Sequence, residues 1–323
     1  MRSAFIEALT ELAESDKRIT LVVGDLGFGV VTDFARRFPS QFVNAGVSEQ
    51  NMTGLAAGMA LSGRIVFTYS IGNFSTLRCL EQIRNDVCYH RANVKIVAIG
   101  GGLAYGSLGV SHYATEDIAV MRALPNMRVV APGDPIEARL AVRAVAEEHG
   151  PVYLRLGRDK EPVVHHGLPG FFIGKAITVK PGGDVTLIAT GGMLYNTVKA
   201  SEELSSMGID ARVLSMHTIE PLDREAVLSA AKETSAIFTV EEHSTVGGLG
   251  SAVADVLVEA GCIPGRFVKI GLPPRFPEIV GDQEFLKSRY RLDVAGIVGR
   301  VLEALGIQGN AVVKNPEIQI TTF

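Results

Sequence analysis

No stretch of this 323-residue chain stays apolar for the roughly twenty residues that a bilayer-spanning helix needs. The opening Met1-Arg2-Ser3-Ala4-Phe5-Ile6-Glu7 has no signal core. A basic block is also missing. The 31 lysines and arginines are scattered against 35 acids, for a net charge of −4, which argues against nucleic acid or an anionic membrane as the main partner. Cysteine is scarce. Cys79, Cys88 and Cys262 show no metal-type spacing and are odd in number, so the expected setting is a reducing cytoplasm with buried thiols.

What is present is a globular composition, 47% hydrophobic and 20% charged. The 35 glycines exceed the usual share of about 7%, and many stand at strand ends, where backbone can approach a ligand closely. Short β-branched runs alternate with helix-length amphipathic stretches. Ile19–Val23, Ile65–Tyr69, Val94–Ile99, Met127–Ala131 and Val152–Leu156 read as strands. Helices are predicted over Ser3–Ser15, Glu49–Leu61, Leu77–Tyr89, Thr115–Leu124 and Pro135–Glu148. The pattern breaks over 158–172, which is polar, carries Pro and Gly and lacks a period. It then restarts with strands at Val185–Ala189, Ala211–Ser215, Ala236–Val240 and Phe267–Ile270 among further helices. The expected organisation is α/β throughout: a first domain over 1–157, a linker over 158–172, a second domain over 173–308 and a tail over 309–323.

Six ordered stretches resemble the carboxy-terminal two-thirds of transketolases, within the wider family of thiamine diphosphate enzymes. Val23-Gly24-Asp25-Leu26 resembles the opening strand of the pyrimidine-binding domain, and Gly46-Val47-Ser48-Glu49-Gln50 its glutamate motif. Gly109-Val110-Ser111-His112 and Asp117-Ile118-Ala119-Val120-Met121-Arg122 resemble the loop and helix after its third strand. Gly183–Gly191 and Ala211–Ile219 resemble the carboxy-terminal domain. The likeness runs from about Arg2 to about Leu305. It implies a pyrimidine domain of parallel sheet flanked by helices, followed by a carboxy-terminal α/β domain.

The resemblance implies thiamine diphosphate and Mg²⁺ as cofactors. The family's metal and diphosphate site, Gly-Asp-Gly followed by a distant Asn, has no counterpart in this sequence; Gly24-Asp25-Leu26 imitates only its start. The chain therefore resembles the small subunit of a split enzyme. It would need a partner subunit carrying Gly-Asp-Gly…Asn, in an α₂β₂ assembly or as a dimer of this chain awaiting that partner. Its own residues would hold no metal.

Site residues follow from the same likeness. Glu49 would bond the distal nitrogen of the cofactor's aminopyrimidine and favour its imino tautomer. The other reading of Glu49 is a first-turn acid favoured by the helix dipole. Phe74 matches the stacking aromatic with a one-residue offset, against the ordinary fate of a core phenylalanine. Asp25 and Ile71 would lie near the cofactor; Asp25 also reads as a turn or cap residue. His112 matches a histidine that contacts sugar hydroxyls. Arg158 and Arg2 match arginines that bind the sugar phosphate, where a guanidinium fork suits the anion; each could equally be surface charge.

Leu108, Gly100 and Gly29 replace an aspartate, a histidine and a serine of the donor-recognition set, so the sugar is expected to be unusual or to lack a terminal phosphate. Gly100–Gly106 evokes a dinucleotide fingerprint with the wrong spacing. Gly247-Gly248-Leu249-Gly250 reads as a structural turn, and His243 is left open between roles. The resulting expectation is transfer of a two-carbon ketol unit from a ketose (phosphate) to an aldose. The alternatives are a 1-deoxyxylulose-phosphate-synthase-like or 2-oxo acid dehydrogenase beta-type subunit and, of another class, a non-catalytic scaffold.

Overall fold

The computed structural model describes residues 1–158 and 160–307. The expected tail over 309–323 lies outside them, as does residue 308. The strands are β1 (Ile19–Val23), β2 (Phe42–Asn44), β3 (Ile65–Ile71), β4 (Val94–Ile99), β5 (Arg128–Val130), β6 (Val152–Leu156), β7 (Ile177–Lys180), β8 (Val185–Ala189), β9 (Ala211–Ser215), β10 (Thr218–Glu220), β11 (Ala236–Ser244) and β12 (Arg266–Leu272). They form a seven-stranded sheet, β10-β5-β6-β4-β3-β1-β2, and a five-stranded sheet, β12-β11-β8-β9-β7. Every pairing is parallel except those of β10 with β5 and β7 with β9.

The central strands are apolar on both faces because helices cover both. Phe5, Ala8 and Leu9 of helix Arg2–Ser15 pack with Ala138, Ala141 and Val142 of helix Pro135–Glu147 over one face of the first sheet. Met52, Ala56 and Ala57 of helix Glu49–Leu61 pack over the other with Ile83 and Val87. Each of the larger side chains among these, Phe5, Leu9, Val142, Met52, Ile83 and Val87, contributes about 1.5–3 kcal/mol. Asp134 caps helix Pro135–Glu147 through Oδ1, which accepts from the Glu137 amide at 2.7 Å. Its Oδ2 accepts from the amides of Val164 and His165, so one carboxylate ties the interdomain segment to the first domain.

Strand β1 pairs with β2 on one side and β3 on the other, so the chain reverses its direction of winding there. In open α/β sheets the crevice outside the carboxyl ends at such a point is where ligands bind. The turns after β1 and β3 and the start of helix Glu49–Leu61 all open onto this edge.

Strand β2 and the short helix Thr32–Arg37 were not anticipated, and three further features depart from the sequence reading. The helix expected over Leu77–Tyr89 is a 3₁₀ turn, one short α turn and a π segment over Ile83–Cys88. The wider π turn places Ile83, Val87 and Cys88 all in the core, which an α-helix would spread over more of its circumference. Strand β7 was not anticipated; its Ile-Thr-Val-Lys run alternates, but it is four residues long and only half-buried, too short to stand out. Strand β10 was read with the second domain but adds to the first sheet, Thr218 opposite Val130.

The adjacent His217 is fully buried, with Nδ1 3.0 Å from Thr218 Oγ1 and the Phe171 ring stacked on it at 3.9 Å. Burial pushes its pKa down to about 4, against the pull of the Glu137 carboxylate. The folded value lies below the unfolded 6.5, so the unfolded chain takes up the proton first. This contribution to stability is complete above pH 6.5 and falls away toward pH 4, by up to about 3 kcal/mol. His217→Gln should flatten the dependence of Tm on pH in that window; an unchanged slope would show that His217 does not control it.

Candidate active site

The site starts from a turn with little side chain. Gly46 has φ +76°, a conformation that favours glycine, and Ser48 Oγ donates to the Ala45 carbonyl at 2.7 Å. This turn delivers Glu49 as the first residue of its helix, 4% exposed. A Cβ on Gly24 would stand 3.7 Å from Glu49 Cγ, so the bare backbone at the end of β1 lies alongside the glutamate stem. Asp25, next along, has φ +55° and is exposed. Its carboxylate accepts from Asn44 Nδ2 at 2.9 Å and its amide donates to Asn44 Oδ1 at 3.1 Å, which locks the ends of β1 and β2 together.

The carboxylate of Glu49 accepts from Arg78 Nη1 at 2.9 Å. The Arg78 guanidinium lies 4.4 Å over the ring of Phe74, and that ring meets the His112 imidazole edge-on at 5.0 Å. His112 also faces Tyr105, at 6.2 Å, and the Arg158 guanidinium sits 5.1 Å over the Tyr105 ring. Burial raises the Tyr105 pKa, while the charges of Arg158 and Arg2 draw it down, so both arginines act on this phenol. The contacts run unbroken from Glu49 through Arg78, Phe74, His112 and Tyr105 to Arg158, while Arg2 acts on Tyr105 through its charge. Ile71 is half-buried at the end of β3, and its carbonyl accepts from Ser75 Oγ at 3.2 Å.

His112 Nδ1 lies 3.0 Å from Ser111 Oγ, and Nε2 has no hydrogen-bond partner among the described residues. Asn73 Nδ2 donates to the Ser111 carbonyl at 2.9 Å, fixing the histidine loop to the turn that carries Phe74. The site therefore offers one buried carboxylate, one aromatic face, one imidazole and, at the far end, two guanidinium groups. Among the described residues no three His, Cys, Asp or Glu side chains are grouped to hold a metal ion.

Of the residues singled out from the sequence, Glu49, Phe74, His112 and Arg158 stand along this one chain of contacts; Arg2 is linked to it only through its charge on Tyr105, and Ile71 is not part of it. Asp25 lies apart, turned to Asn44. Two members were missed. Arg78 follows Phe74 by four residues but stands on a separate 3₁₀ turn, with the helix broken at Thr76 between them, so helical spacing did not announce the contact. Tyr105 had no local signal. A Cβ on Gly100 would stand 2.1 Å from Tyr105 Cε2, so the Tyr105 ring fills the space beside the glycine that replaces the family's histidine. His243 is settled as a buried structural residue, with Nδ1 2.8 Å from the Ser244 carbonyl and Nε2 accepting from the Ala119 amide at 3.3 Å. The start of helix Leu249–Glu259 is occupied from within, because Glu241 accepts from the Leu249 and Gly250 amides.

Two α/β domains, the first with an acid-and-aromatic wall at the carboxyl ends of its strands, make up the chain. Residues 1–162 match the family model described as "Transketolase, pyrimidine binding domain", and residues 174–297 the one described as "Transketolase, C-terminal domain". The chain belongs to the transketolase family. It is 41% identical over 304 residues to a subunit of the apulose-4-phosphate transketolase of Phocaeicola vulgatus, covering 94% of this chain and 96% of that protein. A putative transketolase C-terminal section of Methanocaldococcus jannaschii is 40% identical over 308 residues, covering 94% and 96%. Among solved structures, one described as "Split gene transketolase, inactive beta4 tetramer" superposes with a TM-score of 0.87 at 41% identity, covering 95% of this chain and 99% of that one.

Proposed function

We propose that this chain is the small subunit of a two-component transketolase that moves a two-carbon ketol unit from a ketose to an aldose with thiamine diphosphate and Mg²⁺. The observation that carries the reading is the contact chain from Glu49 to Arg158. It sets a carboxylate and an aromatic face at one end and sugar- and phosphate-binding groups at the other. The full-length likeness to subunits of split transketolases supports it.

The residues present fit the pyrimidine half of the cofactor. Phe74 gives the ring an apolar face, and Ile71 stands half-buried beside it in the chain. Glu49, buried, would hydrogen-bond the distal ring nitrogen and share a proton with it there. When bound, thiamine diphosphate supplies the nucleophilic carbon that cleaves the ketose beside its carbonyl. His112 Nε2 binds sugar hydroxyls and positions them for proton exchange. Arg158, over the Tyr105 ring, binds a terminal phosphate where the substrate carries one, and the charge of Arg2, which also reaches Tyr105, supports it.

The diphosphate and metal half belongs to a partner subunit carrying Gly-Asp-Gly…Asn, in an α₂β₂ heterotetramer. Exposed apolar residues flank the site in sequence: Phe28 and Val47 beside Asp25 and Glu49, Leu108 and Val110 beside His112. Such a face suits cover by another chain. The division at 158–172 then separates a unit that activates the ring from one that supports the assembly.

The test is reconstitution. Co-purified with that partner and supplied with thiamine diphosphate and Mg²⁺, the chain should transfer ketol units in a screen of ketose donors against aldose acceptors, and neither subunit should do so alone. A complex that binds the cofactor yet transfers none would overturn the proposal.

A further inference from the structure

The proposed seat for the pyrimidine ring has two working surfaces, the Glu49 carboxylate and the Phe74 face. In this structure one side chain engages both. Arg78 Nη1 donates to Glu49 Oε2 at 2.9 Å while the same guanidinium lies 4.4 Å over the Phe74 ring. A flat, delocalised cation at that height takes the place a stacked heteroaromatic ring would take. Its N–H also points at the acceptor that the ring nitrogen would use.

We propose that Arg78 occupies the pyrimidine seat in the free chain and leaves it when the cofactor's ring docks. The inference rests on the reading of Glu49 and Phe74 given above. The backbone of Arg78 is held: its carbonyl accepts from Gln50 Nε2 at 3.1 Å, and the next amide, that of Cys79, donates to the Thr76 carbonyl at 3.0 Å. The side chain is not enclosed. It is 47% exposed against 4% for Glu49, so the guanidinium can swing into solvent without disturbing the turn. Until it does, the carboxylate is shielded and the aromatic face is covered. The free subunit thus protects a buried acid and an apolar face, and the ring enters by exchange with a cation that water solvates well.

The opposite reading makes Arg78 a positioning residue that aims Glu49 at the ring, and the two readings predict opposite signs. The probe is thiamine, which carries the pyrimidine but no diphosphate, added to the full chain and followed by ligand-observed NMR. Arg78→Ala should bind it roughly threefold to thirtyfold more tightly than wild type, the gain expected from removing one half-exposed ion pair and one cation–π contact. The complex with the partner subunit should show an apparent Kd for thiamine diphosphate lowered in the same sense. Unchanged or weaker binding in Arg78→Ala would overturn the proposal. Adding Glu49→Gln to Arg78→Ala separates the two layers. If the gain shrinks, Arg78 was shielding Glu49. If the gain persists in full, the occupied Phe74 face stands and it is the assignment of Glu49 to the ring nitrogen that fails.

Discussion

Glu49→Gln is expected to lower turnover of the assembled enzyme by about a hundredfold or more while the complex still forms, since a positioned proton-transfer group contributes roughly 10²–10⁴ in rate. Glutamine keeps the length of the side chain, and its oxygen can still accept from Arg78, so the turn after Gly46 and the helix start should be preserved. What it lacks is a carboxyl able to hold and return a proton at the ring nitrogen. The competing explanation, an acid favoured by the dipole at the first turn, predicts a stability loss of about 0.3–1 kcal/mol and no change in turnover. Steady-state rates at saturating cofactor, beside a Tm for the same preparation, decide between them. Full activity in the variant would remove the central claim.

The largest effect on stability should come from Arg155→Met. Arg155 Nε donates to Asp117 Oδ2 at 2.7 Å, and both side chains are nearly buried, 5% and 1% exposed. Its Nη2 donates to the carbonyls of Ala114 and Glu242, at 2.9 and 3.0 Å, so a single guanidinium joins the histidine loop of the first domain to β11 of the second. Tyr153 Oη donates to the same Asp117 oxygen. Burial of the pair gives little net stability, but removing one partner strands a charge, at a cost of about 3–5 kcal/mol. Equilibrium denaturation should show that loss. The double variant Arg155→Met with Asp117→Asn should recover part of it, because the uncompensated charge is gone and the tyrosine keeps an acceptor. A loss below about 1 kcal/mol would mean that the pair is solvated in solution, since exposed pairs are worth no more.

Much of the fold was legible because its signals are local. Buried parallel strands read as apolar runs and helices as stripes, and both are set by residues close in sequence. The misses share one cause. Over 77–89 the apolar spacing admitted an α-helix, and only the need to bury Ile83, Val87 and Cys88 together selected a π turn. Strand β10 is three residues long, and nothing inside it says which sheet it will join. Asp117 and Arg155 were read as a motif acid and a strand residue; their pairing within the first domain, and the bond from Arg155 to the Glu242 carbonyl of the second, depend on elements far apart in sequence coming together.

The sequence by itself determined the alternation of strand and helix, the glycine turn that presents Glu49, and the likeness that names its chemistry, because each is written in neighbouring residues. The tertiary structure decided what faces what. Arg78 reaches Glu49 across 29 positions, and Tyr105 stands where the charges of Arg2 and Arg158 both act on it. Those distances are set by the order in which parallel strands pair and by the crossover at β1, which no local pattern encodes. Glu49 and Phe74 were legible in the sequence as candidates; the Arg78 side chain that engages both became visible only once the chain had folded.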